Sequence, residues 1–503
     1  MLRRMTTLHM VAQAERHATR TAIVADGANH SFAELLEVSG RAASGLLAGA
    51  SDLAGARVCF LVAPGFDHVA TQWGIMRAGG VAVPLCAAHP APELAHVIDD
   101  ARPSVIVADP AAAPLLEPLA RARGLRFTQP TELARVAAGA LPGIEASRNA
   151  MLIYTSGTTG KPKGAITTHA ILEAQLRSVI TAWELNADDR ILHVLPLHHL
   201  HGVLNALLAP LVAGGCVEFV PRFDARKVLE RVSVEPALSL FMAVPTIYSK
   251  LVAEWDALPE ADRKRASASL SRMRLIVSGS AALPVTMLTR FREVSGHTLL
   301  ERYGMTELGM ALGNPLHGER RVGSVGLPFP DVSARIVDDA GRELPENTPG
   351  ELQIRGPNVF AGYWDKPEAT AASFTADGYF RTGDVAVREG GYYRLLGRES
   401  VDIIKTGGFK VSALEIEEAL REHPAVAEVA VIGVPDAEWG ERVAATIVLR
   451  AAAALTLAEL RSFGKERLAS YKVPTLLRCV EDLPRNALGK VQKLALRGLF
   501  QWA

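Results

Sequence analysis

Cysteine is scarce. Cys59, Cys86, Cys216 and Cys479 are the only ones in 503 residues, and no CxxC pair occurs. That excludes a disulfide scaffold and the usual structural zinc motifs. Each cysteine lies in an apolar or strand-like run, so buried, reduced thiols are expected. A reducing compartment follows: the cytoplasm, with an organellar matrix as the alternative. Neither sign of charge is in surplus, since Lys+Arg and Asp+Glu both number 54. No nucleic-acid partner is expected, because such chains usually carry a basic excess. The start, "MLRRMTTLHMVAQAERHATR", lacks the apolar core and cleavage site of a secretory signal. Its arginines leave a short organellar presequence as an alternative, against which Glu15 stands. One long stretch, Ile191 to Val217, has no Asp, Glu, Lys or Arg. It holds His193, His198, His199, His201, Pro196 and Pro210, a poor content for a lipid-facing helix. No membrane span is expected there, but a buried helix beside a site.

The chain is too long for one ordinary core, so two or more domains are expected. Hydrophobic residues make up 49% and charged residues 21%, a globular composition. Short β-branched runs such as "RVCFLVAPG", "SVIVAD", "AMLIYTSG" and "RLIVSGS" alternate with helical spacing such as "FDHVATQWGIMRAG". This predicts layered α/β subdomains with largely parallel sheets. After about residue 320 the texture turns β-rich, with strands joined by polar turns. Beyond Arg398, "SALEIEEALREHPAVAEVAVIGVPD" reads as a helix and then a strand, within a compact α+β unit. The expected division is a large domain over 1–398 and a small one over 399–503. Oligomeric state has no signature in the sequence.

One loop carries chemistry. "YTSGTTGKPKG", Tyr154 to Gly164, follows the strand-like "AMLIY". It is not a Walker A loop, because Lys161 is followed by Pro162, which removes a backbone N–H where that loop's helix would start. It still suits phosphate. Gly157 and Gly160 let backbone approach an anion; Thr155, Ser156, Thr158 and Thr159 supply hydroxyls; Lys161 and Lys163 add charge.

This loop resembles the signature of the adenylate-forming superfamily, which holds acyl-CoA synthetases, luciferases and adenylation domains of peptide synthetases. Further motifs follow in the expected order: "ERYGMTE" from Glu301, "YFRTGD" ending at Asp384, "GRESVDIIKTGG" from Gly397, and "PRNALGK" ending at Lys490. The resemblance implies a carboxylate joined to the α-phosphate of ATP, followed by attack of a thiol, with a mobile C-terminal lid serving both steps. It implies that residues 155–160 and Lys163 hold the phosphates of ATP. Mg2+ would sit on Glu307 with Thr155 nearby, since a hard cation takes oxygen ligands. Lys490 would be the catalytic lysine bridging carboxylate and α-phosphate. Tyr303 would stack on adenine, in a pocket lined by Gly279, Ser280 and Ala281. Glu301, Gly304, Met305 and Thr306 complete the nucleotide motif. Asp384 would accept from the ribose hydroxyls, and Arg398 would reach the same ribose. Asp402 falls at the hinge, and Gly407 and Gly408 would let the pantetheine arm of coenzyme A pass.

The acid is approached through charge. His199 sits where relatives place an aromatic gate beside the reacting carboxylate. His201 and Arg302 stand where many relatives carry apolar or neutral residues. An arginine aimed at an acyl pocket is costly to desolvate without an anion, and its planar fork matches a carboxylate. Arg302, His201 and Ser278 would therefore clamp a second carboxylate, making the substrate a short dicarboxylate. The alternative is that Arg302 pairs with Glu301 or Glu307 and only shapes the pocket. The run "FMAVPTIYSKL…LIVSGSAALP…GHTLLERYGMTELGMALGNPL" closely resembles malonyl-CoA synthetases, which implies malonate, with methylmalonate as a related acid. A monocarboxylate substrate, transfer to a carrier protein and a non-catalytic binding role are the competing readings.

Overall fold

The computed structural model describes residues 7–155, 162–220, 222–234, 236–486 and 489–500. Two large sheets form the body. One has nine strands and includes Arg190–His193, Leu240–Ala243, Leu275–Ser278 and Leu300–Met305 side by side. The other has seven and includes Arg57–Leu61, Val81–Pro84, Asn149–Thr155 and Lys163–Thr168. The central pairs in both are parallel, as apolar runs separated by helices require. The helix Phe66–Arg77 is buried from His68 to Met76. A helix apolar on nearly every face belongs in an interior. It contributes to one core together with strands of both sheets, which makes the body an α/β fold as expected.

A four-stranded antiparallel sheet follows, from Ser333–Val337, Gly350–Arg355, Phe380–Glu389 and Tyr392–Arg398. This is the β-rich texture read after residue 320. The last sheet is built on the long pair Val426–Asp436 and Gly440–Leu449, joined by Ile403–Thr406, Phe409–Ser412 and Leu476–Val480. Ser412 caps the helix Ala413–Arg421 by accepting from Glu415 N, and its hydroxyl donates to Leu396 O, tying that helix to the preceding sheet. Cys59, Cys86 and Cys216 are buried, but Cys479 is exposed. The expectation of four buried thiols fails there because, among the described residues, Leu476–Val480 pairs only with Gly440–Leu449 and leaves Cys479 on a solvated side. Among the described residues no helix is long and apolar enough to cross a membrane.

Candidate active site

The charge-free stretch forms the buried helix expected beside a site, but not as one regular α-helix. After the strand Arg190–His193 it turns, then runs as a π-helix over His201–Leu208 and an α-helix over Ala209–Val212. Wide helical turns of this kind concentrate at functional sites. Here the turn needs glycine: a Cβ on Gly202 would lie 2.2 Å from Pro196 O. The Gly202 carbonyl is also held by His193 Nε2 at 3.0 Å. Together these place His199 and His201 on a cavity of about 230 Å³. Leu195, Phe223, Val244 and Ile247 give it apolar wall; Thr246, Ser280, Ala281, Gly489 and Lys490 also line it.

Alternate residues of the strand Leu300–Met305 point to opposite sides. Arg302 packs across Gly279, where a Cβ would lie 2.4 Å from its Cζ. Its Nη2 donates to Ser280 Oγ at 3.4 Å, and Ser280 Oγ lies 3.2 Å from His201 Nδ1. Ser280 reaches both because its backbone is left-handed, at φ 70°. The hydroxyl accepts from arginine, so its own proton goes to His201 Nδ1, and Nε2 then carries the ring hydrogen. That Nε2, Arg302 Nε and Ser278 Oγ are buried without partners among the described residues. Burial pushes the Arg302 guanidinium down to about 9. Arg302 has no ion pair among the described residues: Glu301 accepts from Gly323 N at 3.2 Å, and Glu307 from the Tyr363 hydroxyl at 2.9 Å. The arginine stands behind Ser280 and His201 and does not itself line the cavity.

His199 Nδ1 accepts from His201 N at 3.4 Å. Burial, then the nearby Lys490, His198 and Arg302 charges, pull its pKa down to about 3, so the ring is neutral at physiological pH. Lys490 keeps exposed surface at the cavity mouth, yet its amine is surrounded by protein. That desolvation, with Arg398 and Arg302 close by, lowers its pKa below the usual lysine range. Its backbone N–H donates to Asn486 Oδ1 at 3.0 Å, fixing the turn that presents it.

The other side of the strand holds the nucleotide candidates. The Tyr303 hydroxyl donates to Asp384 Oδ2 at 2.6 Å, and Arg398 Nε to Asp384 Oδ1 at 3.0 Å. Met305 Sδ lies 3.3 Å from the Tyr303 hydroxyl, and Gly304 needs its missing side chain, since a Cβ would meet Gly309 O at 2.2 Å. Thr306 sits half-buried in the following turn, before buried Glu307. Burial raises the Glu307 pKa, against the Tyr363 hydrogen bond. Thr155 and Lys163 pair across the base of their hairpin; Ser156, Gly157, Thr158, Thr159 and Gly160 lie outside the described residues. Lys163 Nζ stands 5.1 Å from the Tyr363 ring centre. Tyr363 therefore touches both Lys163 and Glu307, and sequence reasoning missed it. No sequence signal marked it; it lies on a short strand that pairs with the loop's outgoing strand.

Ser280 and Ala281, expected at the adenine pocket, line the cavity that also holds His199, His201 and Lys490. Gly407 and Gly408 form a left-handed turn, at φ 55° and 82°, with Gly407 against the Trp439 ring, and neither lines the cavity. Asp402 ion-pairs with Lys493 at 2.6 Å. Among the described residues no group of His, Cys, Asp and Glu could enclose a metal by itself.

The AMP-binding enzyme family matches residues 10–364, and the AMP-binding enzyme C-terminal domain matches residues 415–490. A mitochondrial malonate–CoA ligase of Bos taurus is 46% identical over 474 residues, 88% of this chain and 81% of that protein. Among solved structures, ATP-bound MatB from Rhodopseudomonas palustris has a TM-score of 0.91 at 35% identity, over 99% of each chain. A malonyl-CoA ligase in a ternary product complex with methylmalonyl-CoA and AMP has a TM-score of 0.70 at 36% identity, over 95% of this chain and 100% of that one. With family matches over residues 10–364 and 415–490 and a relative 46% identical over 88% of its length, the chain belongs to the AMP-binding enzyme family.

Proposed function

We propose that this protein joins malonate to coenzyme A with ATP, through an acyl-adenylate, giving malonyl-CoA, AMP and pyrophosphate. The observation that carries the reading is the buried Arg302 guanidinium, without an anion and set beside His201 and Ser280 at the acyl cavity. Its 3.4 Å contact with Ser280 is weak, and a substrate carboxylate would replace it with a charge-assisted pair. The other carboxylate would lie at Lys490, beside neutral His199. There the ammonium would offset the charge of carboxylate and α-phosphate as they meet. Asp384 and Arg398 would hold the ribose. Thr155, the residues 156–160 and Lys163 would hold the outer phosphates.

Mg2+ fits this site as a companion of the nucleotide. Glu307 accepts from the Tyr363 hydroxyl, and its carboxylate together with phosphate oxygens would hold such a hard cation. Bound there, the ion would supply charge neutralisation for departing pyrophosphate.

Residues 1–398 would form the body and 399–503 a lid, hinged at Asp402. The likeness to the ATP-bound relative, TM-score 0.91, exceeds that to the product complex, 0.70, at nearly equal identity. This supports reading the arrangement, with Lys490 on the cavity, as the one for the first half-reaction. Rotation would then bring Gly407 and Gly408 in for the thiol. The proposed location is the cytoplasm; the mitochondrial name of the bovine relative makes an organellar matrix the alternative.

The test is product analysis by mass spectrometry with Mg-ATP, coenzyme A and, separately, malonate, methylmalonate, succinate, acetate, octanoate and benzoate. Malonate is expected to give malonyl-CoA and AMP far faster than the monocarboxylates. Faster turnover of octanoate or benzoate would assign the apolar wall of Phe223, Val244 and Ile247 to the substrate and make Arg302 structural.

A further inference from the structure

Lys490 sits on a segment that is tied down on both sides. Upstream, Arg485 pairs with Glu428 and donates to Gly489 O at 2.9 Å. Downstream, Lys493 Nζ lies 2.6 Å from Asp402 Oδ1 and 2.6 Å from Glu417 Oε1. These side chains are 9%, 16% and 8% exposed, so the lysine is a buried cation between two buried carboxylates.

The partners lie on different parts of the chain. Asp402 stands where the chain leaves the four-stranded sheet: its Oδ2 accepts from Arg398 N at 3.0 Å, and its carbonyl accepts from Ala413 N at 2.7 Å. Glu417 lies on the helix Ala413–Arg421, and its Oε1 also accepts from Val431 N at 2.8 Å, on the long strand Val426–Asp436. Lys493 thus joins the Lys490 segment, the crossing between domains and the lid body at one point. Leu496 and Phe500 already anchor the chain's end in an apolar cluster with Ile432 and Leu483. The ion triad is therefore not needed to hold the terminus. Buried ion pairs add little net stability over apolar replacements, and their better-attested use is to specify one arrangement among several.

We propose that Lys493 is a positioning residue: shared between Asp402 and Glu417, it locks the Lys490 segment to the hinge and holds the lid in the adenylate-forming arrangement. This rests on the ligase reading above. On rotation about Asp402 the Lys493–Asp402 contact yields, while the Lys493–Glu417 contact stays within the lid.

The test separates the half-reactions in the full-length enzyme. Adenylation is followed by malonate-dependent ATP–pyrophosphate exchange. Thioester formation is followed by AMP-dependent exchange of labelled coenzyme A into malonyl-CoA. The variants are Lys493→Met and, to neutralise one of the two carboxylates left without their cation, Lys493→Met with Glu417→Gln. The double variant is expected to lose about tenfold or more in pyrophosphate exchange and to keep coenzyme A exchange within about twofold of wild type. Equal losses in both exchanges, or no loss in either, would overturn the latch, because a merely structural lysine moves the two together. If wild type itself catalyses neither exchange with any carboxylate, the ligase reading falls, and the latch with it. If wild type works and the double variant tracks it, the latch alone falls.

Discussion

Two sides of one strand follow opposite rules. On the nucleotide side of Leu300–Met305, the buried carboxylates of Asp384 and Glu307 have side-chain partners: Asp384 has Tyr303 and Arg398, and Glu307 has Tyr363. On the acyl side, Arg302 Nε, His201 Nε2 and Ser278 Oγ are buried without one among the described residues. The two sides share a sheet, similar burial and nearly adjacent residues, so the local backbone does not explain the difference. A paired network is a preformed frame, and it stabilises the fold whether or not ligand is present. An unpaired buried cation destabilises the empty protein. Such a group persists where a ligand supplies the missing anion, which in the proposed function is the acid rather than the nucleotide.

The strongest way to break this contrast is Arg302→Leu. Malonate turnover, as kcat/KM, should fall by about 10³-fold or more, because a site built for a charged group is left with nothing to clamp it. Thermal unfolding should move up, since the variant removes a buried charge with no partner. Loss of malonate use without a gain in stability would mean that Arg302 is already satisfied, and the two sides would no longer differ. Tyr363→Phe probes the paired side and should do the reverse. Removing a hydroxyl that serves a buried carboxylate costs about 1.5–3 kcal/mol. We expect a lower melting temperature together with an adenylation rate reduced about tenfold, read by ATP–pyrophosphate exchange. A variant with unchanged melting and unchanged exchange would show that Glu307 does not depend on Tyr363.

The sequence was most informative where chemistry is local. Alternating apolar runs and helical spacing fixed the α/β layers, because burial on both faces of a sheet leaves a direct mark on composition. The phosphate-type loop and the odd charge at Arg302 could also be read from residue type and neighbours. Contacts made across the fold could not. Tyr363 meets Glu307 through strand pairing between residues 362–363 and 165–166, and no spacing rule joins those positions. Lys493 meets Asp402 across 91 residues for the same reason. Ser280 shows a subtler limit. Its motif suggested the adenine pocket and gave no sign that a left-handed backbone would turn its hydroxyl toward Arg302 and His201. The π-helix at His201–Leu208 was likewise invisible, since its apolar pattern fits an α-helix equally well.

The smallest effect on catalysis is expected from Glu301, the neighbour of Arg302 on the strand's other face. Its carboxyl meets Gly323 N and no cation, and burial raises its pKa from 4.5 to about 8. Between those values the folded state holds a proton that the unfolded chain has released. Stability should therefore fall as pH rises through this window and level off above about 8. Glu301→Gln keeps an acceptor for Gly323 N and removes the titration. Denaturant unfolding at pH 5, 7 and 9 should show wild type losing stability at up to about 1.4 kcal/mol per pH unit relative to the variant, with the two nearly equal at pH 5. The opposite sign is equally informative. If Glu301→Gln is less stable than wild type at pH 7, the carboxylate is ionised and paired in solution. Arg302, the adjacent residue, would then be the cation to suspect, and the acyl side would be as paired as the nucleotide side.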